Sequence, residues 1–277
     1  VITSGQAGFT ITPNTSNTIQ LRFTAPTTGL KTATLTIPTN DADEPQVAVG
    51  LTGTGSTASA TPTFEEVQHG GSAGLTTVTT AVPLLGVNGH LYLAAVSSKS
   101  YLPVTTVTGL GLTWSRVTTQ CAGRNQTGID LWWAMGTAST GTVTATYATA
   151  PNSALIVVSR YSGVASTNPV ALAVAGNTNG VSGGCSNGTD SGAYSFNVTT
   201  TQSNSMIVGA AAIRSKTHTP GSGYTERDES VQGSSGDTVT IAISDRLVPS
   251  VTSLPLNGTL SGAVDWAVIG VQLRPGP

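Results

Sequence analysis

The sequence predicts an all-β protein, and three observations carry that reading. Threonine is the most abundant residue, and with valine it branches at Cβ, which stiffens χ1 and suits a pleated surface. Alternation of the Thr142-Val143-Thr144-Ala145-Thr146 kind recurs along the chain, and no 3.6-residue period lasts beyond about two turns. Glycine (33 residues) and proline (14), with Asn and Ser, supply the turns between these runs. A length of 277 exceeds one ordinary sandwich, so two domains are expected.

The first expected domain spans 1–54. Gly8-Phe9-Thr10-Ile11-Thr12-Pro13 is a short strand signal. Thr18–Phe23 alternates with Ile19, Leu21 and Phe23 on one face. Residues 32–37 alternate again, with Ala33, Leu35 and Ile37 on one face, and Pro38 ends the run. Asn40–Pro45 is a polar turn, and Val47–Leu51 is the last strand. Residues 55–61 have no apolar period and read as a linker.

This segment resembles the C-terminal part of bacterial Ig-like repeats of the Hydin type, seen in "choice-of-anchor" surface proteins. The features that carry the likeness are Phe9-Thr10-Ile11-Thr12-Pro13, Phe23-Thr24-Ala25-Pro26-Thr27, Ala33–Ile37, Asn40-Asp41 with Glu44-Pro45, and Leu51-Thr52-Gly53-Thr54-Gly55. The resemblance implies a partial Ig-like β-sandwich, because such a repeat has further strands before Val1. An Ig-like sandwich needs about seven strands, and this segment supplies four or five. The apolar residues Ile19, Leu21, Phe23, Leu35 and Ile37 are therefore an expected assembly face. Upstream sequence, a neighbouring subunit, or residues 62–277 of the same chain would complete it. An ordered Val1 favours the neighbouring subunit, as in donor-strand complementation.

Residues 62–277 read as one larger jelly-roll β-sandwich of about a dozen strands. Strand signals lie near 62–66, 75–82, 90–97, 104–109, 112–118, 128–135, 142–148, 154–162, 169–175, 193–199, 205–214, 237–244 and 264–273. Leu155–Val158 and Met206–Ala210 are near-continuous apolar runs, as strands buried on both faces show. The region resembles a jelly-roll module of secreted bacterial proteins through Leu112-Thr113-Trp114, Leu131-Trp132-Trp133-Ala134, Arg160–Val164, Gly221-Ser222-Gly223-Tyr224-Thr225 and Asp265-Trp266-Ala267. That resemblance implies a fold and a location, and brings no catalytic residues.

Charge excludes some functions. Lys+Arg number 11 against 13 Asp+Glu, so the basic surplus of a nucleic-acid binder is missing. No run of about 18 apolar residues is present to span a membrane as a helix. No signal peptide is visible, and Val1 opens mid-pattern, so the chain reads as trimmed upstream. Cys121 and Cys185 both lie in glycine-rich, loop-like sequence, which points to one disulfide in an oxidising compartment; two unrelated buried thiols are the alternative.

Candidate chemistry is sparse. His69, His90 and His218 are scattered, outside metal-ligand spacing of one another. Glu226, Asp228 and Glu229 form an acidic cluster read as a loop, with Glu65 or Glu66 a distant partner for the carboxylate pair that glycoside hydrolysis needs. Asp190 and Asp237 could ligate a structural calcium, but no ordered Asp-x-Asp loop accompanies them. Trp132 and Trp133 are adjacent on a strand, so one faces the core and the other faces outward as a glycan-stacking candidate. Trp114 and Trp266 read as core, and Asp245 with Arg246 as ion-pairing charges. Asn-x-Ser/Thr sites at Asn14, Asn125, Asn187, Asn197 and Asn257 read as polar loops and strand edges.

These features point to a non-enzymatic extracellular structural protein without cofactor or metal. It would be a subunit of a bacterial surface fibre or appendage, a homo-oligomer or polymer of itself. The alternative is a carbohydrate-binding or adhesive module of a larger secreted protein, with a glycan as partner.

Overall fold

The computed structural model describes residues 8–25, 27–55 and 60–277. The expected order at Val1, Pro26 of the Hydin-like motif and most of the expected linker lie outside the described residues. The chain divides into two units, Val1–Ala58 and Ser59–Pro277. Among the described residues the only helix is one 3-10 turn, Ser235–Asp237, so the protein is all-β.

In the first unit β1 (Gly29–Pro38) and β2 (Gln46–Gly55) form an antiparallel hairpin over their full ten-residue lengths. Ala33, Leu35 and Ile37 stand opposite Leu51, Val49 and Val47, so the alternation read from sequence sets one apolar face. The strands expected at 8–13 and 18–23 do not form. That stretch is irregular apart from an isolated bridge at Leu21. Its side chains still cover part of the hairpin: the Phe23 ring sits so close over Gly53 that a Cβ there would lie 2.9 Å from it. Gly55, expected to open the linker, is the buried last residue of β2.

The second unit is not one two-sheet sandwich. It holds four sheets. The first half of the unit supplies β3 (Thr63–Ala73), β4 (Thr77–Thr79), β5 (Leu91–Lys99), β6 (Val104–Gly109), β7 (Ser115–Cys121), β8 (Gly128–Met135), β9 (Val143–Tyr147) and β10 (Ser153–Ser162). They make a sheet of order β3-β10-β5-β8-β7 and a smaller one of order β4-β9-β6. The second half supplies β11 (Val170–Asn177), a two-residue β12 (Gly180–Val181), β13 (Ser191–Thr199), β14 (Ser205–Ile213), β15 (His218–Pro220), β16 (Thr225–Gln232), β17 (Val239–Val248), β18 (Ser253–Val264) and β19 (Trp266–Leu273). Their sheets run β12-β11-β19-β14-β17-β16 and β13-β18-β15.

With β12 set aside, the two halves have the same topology. Replacing β3 to β10 by β11, β13, β14, β15, β16, β17, β18 and β19 turns each sheet order of the first half into that of the second. Two local devices repeat with the topology. Gly109-Leu110-Gly111-Leu112-Thr113 leads from β6 to β7, and Gly221-Ser222-Gly223-Tyr224-Thr225 leads from β15 to β16. After β4, buried Thr80 donates its N–H to Val143 O and accepts from Val143 N; after β13, buried Thr200 does the same with Thr252. The unit is a tandem pair of eight-stranded sandwiches, which we call copy one and copy two.

The copies stack through their large sheets. One core cluster joins Leu93, Leu131 and Leu155 of copy one to Val208, Ile241 and Ile269 of copy two. A second lies between the two sheets of copy one, around Tyr92, Trp132 and Ile156, and a third between those of copy two, around Phe196, Ile207 and Leu256. The two large sheets are therefore covered on both faces. This explains why β5, β10, β14, β17 and β19 are buried almost continuously rather than alternately.

Candidate functional site

Two places stand out: the open hairpin of the first unit, and the junction of the two copies in the second.

At the hairpin, Leu21, Phe23, Leu35 and Leu51 line a groove of about 400 Å³ whose wall also carries Arg22 and Lys31. Of the expected assembly face, Leu21 and Phe23 are 42% and 54% exposed, while Ile19, Leu35 and Ile37 are half-buried. Val47 and Val49 of β2 are also exposed. Among the described residues β2 hydrogen-bonds to β1 alone. A strand edge left open is a template for another chain, and proteins block such edges with charge, proline or short strands. Three edge strands of the second unit are blocked in this way, while β13 and most of β11 are edges with neither charge nor proline. Edge strand β3 carries Glu65, Glu66 and His69, edge strand β16 carries Glu226, Arg227, Asp228 and Glu229, and edge strand β12 is two residues long. The longest uncharged edge among the described residues is β2, Gln-Val-Ala-Val-Gly-Leu-Thr-Gly-Thr-Gly, ten residues with neither charge nor proline against nine in β13.

At the junction, Cys121 at the end of β7 is disulfide-bonded to Cys185 in the loop before β13, with Cα atoms 5.5 Å apart. The bridge joins copy one to copy two. Asn177, 1% exposed, donates from Nδ2 to the carbonyls of Cys121, Gly183 and Gly184 at 2.8–3.0 Å. Gln120 Nε2 donates to Gly183 O at 2.9 Å. The fully buried carboxylate of Asp265 accepts from the backbone N–H of Arg124 and of Gln126 at 3.1–3.2 Å. The loop after β7 is thus fixed to copy two by a covalent bond and by satisfied polar groups.

The ionisable residues singled out in the sequence are dispersed. His69 Nδ1 lies 3.1 Å from Asp228 Oδ1, which stands on the edge strand β16 and not in a loop. The acidic cluster is the charged rim of a sheet. His218 is buried between Glu226 (Nδ1 to Oε1, 2.6 Å) and Tyr194 (Nε2 to the hydroxyl, 2.8 Å), and its backbone N–H donates to Glu229 Oε1 at 2.7 Å. Arg160 donates to Glu66 at 3.1 Å and to His90 Nδ1 at 2.8 Å. Burial and the neighbouring Arg160 charge lower the His90 pKa, which leaves the ring neutral as the acceptor. Glu65 accepts from Ser162.

The two calcium candidates are engaged elsewhere. Asp190 pairs with Arg124, and Asp237 accepts from Asn152 Nδ2 at 2.8 Å. Among the described residues no group of three His, Cys, Asp or Glu could hold a metal ion. Asp245 pairs with Arg227, not with its neighbour Arg246, which turns to Ser222 O and the Tyr224 ring. Trp132 and Trp133 do point to opposite faces of β8, but each meets a core. Trp132 is 8% exposed with the Arg116 guanidinium 4.7 Å from its ring, and Trp133 is half-buried against the cluster between the copies.

Sequence reading missed a buried carboxyl whose pKa is strongly raised. Asp130 is fully buried on β8, 3.6 Å from Arg116 and 3.3 Å from the Tyr101 hydroxyl. Burial outweighs Arg116 and raises its pKa to about 6, and burial with the Asp130 charge raises Tyr101 to about 12. A carboxyl raised by folding favours the protonated native state. Its contribution is full below the ordinary carboxyl range and is lost as pH rises through about 6. Asp130→Asn is expected to remove a pH-dependent loss on the order of 3 kcal/mol between about pH 4 and 6. Urea unfolding of both proteins at about pH 3.5 and about pH 7, on either side of that window, checks it; parallel pH profiles would refute the assignment.

No family model, no curated protein and no solved structure matches the chain. Among the described residues no helix is long and apolar enough to cross a membrane.

Proposed function

We propose that the protein is a non-enzymatic structural subunit that polymerises outside the cell, with a second copy of the chain adding a β-strand to β2. The observation that carries this reading is the contrast between edges. The charged edges β3 and β16 lie on the second unit, while β2 offers the longest uncharged edge among the described residues, beside the groove of Leu21, Phe23 and Leu35. A strand added there satisfies the N–H and C=O groups of β2 and sets apolar side chains against Leu21, Phe23 and Leu35. The small net charge of −2 puts little repulsion between copies.

The second unit suits a load-bearing body. Three stacked cores and a disulfide between the copies resist local opening, and the bridge fits an oxidising, extracellular compartment. The likeness of the first unit to a Hydin-type repeat belongs to the same reading, as does a bacterial surface location. The glycan-binding reading lacks an open aromatic platform, because both tryptophans of the Trp132-Trp133 pair meet a core.

Val49→Lys tests the edge. Val49 is 40% exposed on β2, so the charge is tolerated in the monomer and opposes strand addition. Electron microscopy and light scattering of concentrated protein are expected to show polymers for the wild type and none for the variant. A wild type that stays monomeric, or a variant that polymerises equally, would reject this face as the assembly surface.

A further inference from the structure

We propose that the outer face of the β4-β9-β6 sheet in copy one binds the surface of ice. Each of its three strands carries a Thr-x-Thr triplet, and the ladder register aligns all three. Thr77, Thr146 and Thr106 form one row across the sheet, and Thr79, Thr144 and Thr108 form the next. The intervening Val78, Ala145 and Val107 point inward and are buried, so the threonines face outward together. Those on β4 and β6 are exposed and those on central β9 are half-covered by their neighbours.

The result is a two-dimensional grid of hydroxyl and methyl groups. Its repeat is about 4.8 Å across the strands and about 6.7 Å along them. Oxygen rows on a prism face of hexagonal ice repeat at two similar distances, so a hydroxyl can occupy a lattice position while the adjacent methyl sits between rows. Complementarity extends to charge: β4, β6 and β9 contain no ionisable side chain except the buried Tyr147, and ice offers an uncharged hydrogen-bonding plane. Threonine also suits a rigid grid, since branching at Cβ restricts χ1 and little rotamer freedom is lost on binding. Thr79 and Thr144 are already tied, hydroxyl to hydroxyl, at 2.8 Å.

The fold does not require this array. Copy two builds the equivalent sheet, β13-β18-β15, with the same strand order. Its outward pairs are Ala193 with Thr259, Ser195 with Asn257, and Asn197 with Pro255, a mixed surface without a repeat. The threonine grid is therefore a property of copy one and not of the architecture.

The experiment uses the full chain, labelled on surface amines with a fluorophore, and a growing ice hemisphere in dilute solution. The wild type is expected to adsorb to ice on defined planes and to facet single crystals near the melting point. Thr77→Lys with Thr106→Lys, both on the exposed outer strands, is expected to lose both properties. Asn197→Lys on copy two is expected to keep them. Thermal unfolding of each variant shows that the fold is retained, and Thr77→Ser with Thr106→Ser, which removes only methyls, gives a second variant in which adsorption should drop several-fold. Round, unfaceted crystals with the wild type would overturn the proposal. So would equal adsorption by the lysine variant, or retention on crystalline cellulose or chitin with none on ice.

Discussion

Replacing Cys121 and Cys185 together by alanine is expected to destabilise the second unit by about 4 kcal/mol, from the entropy of a loop of 64 residues. For a unit of this size that corresponds to a fall in Tm of about 8–16 °C. The position of the bridge adds to the effect. It ties the loop after β7 in copy one to the loop before β13 in copy two, beside the buried groups of Asn177 and Asp265. Releasing it frees a segment whose backbone carbonyls are satisfied only while both loops stay in place. Differential scanning calorimetry of the wild type, with and without reductant, and of the double variant checks this. A Tm unchanged to within about 2 °C would mean that the noncovalent contacts alone hold the copies, since a kcal/mol is worth at least that much here.

Much of the core was legible in the sequence because burial leaves a direct trace. Leu155–Val158 and Met206–Ala210 read as strands covered on both faces, and both lie in the large sheets between two cores. What stayed hidden has a physical reason in each case. Thr225–Gln232 reads as a polar loop because β16 is an edge strand whose charges guard it. Ser253–Val264 carries no strand signal in the sequence because β18 contains Pro255, Asn257 and Gly258. Its partner β15 reaches only Gly258–Leu260, so at Pro255 the missing N–H faces no ladder on that side.

Alternation at 18–23 predicts a strand that does not form. Period-2 patterning orients side chains but does not supply a hydrogen-bonding neighbour. The duplication was the largest miss. Its visible trace is confined to the Gly-x-Gly turns at 109–111 and 221–223, and to two buried threonines whose role depends on partners more than fifty residues away. At the candidate site, the apolar face of the hairpin and the cysteine pair were readable. The freedom of β2 from blocking charge became meaningful only once the charged rims of the other sheets could be compared with it.

Arg227→Met is expected to cost about 3–5 kcal/mol at pH 8, because it leaves a buried carboxylate without its counter-charge. Asp245 is 2% exposed between the copies. Arg227 grips it with two hydrogen bonds of 2.8 and 2.9 Å, the Tyr161 hydroxyl of copy one approaches at 3.5 Å, and the guanidinium lies 4.5 Å from the Phe64 ring. Methionine keeps apolar contact with Phe64 and removes only the charge and the fork. Burial already raises the Asp245 pKa despite Arg227, and without the cation it must rise further. The sign follows: a carboxyl whose pKa is raised on folding stabilises the native state when protonated, so the variant recovers stability as pH falls and loses it as pH rises. Urea unfolding at pH 5 and pH 8 should therefore show a larger deficit at the higher pH. Adding Asp245→Leu should restore most of the loss, since an apolar pair of similar volume needs no desolvated charge. A deficit independent of pH, or no rescue in the double variant, would place the cost of Arg227→Met in packing against Phe64 and not in the buried ion pair.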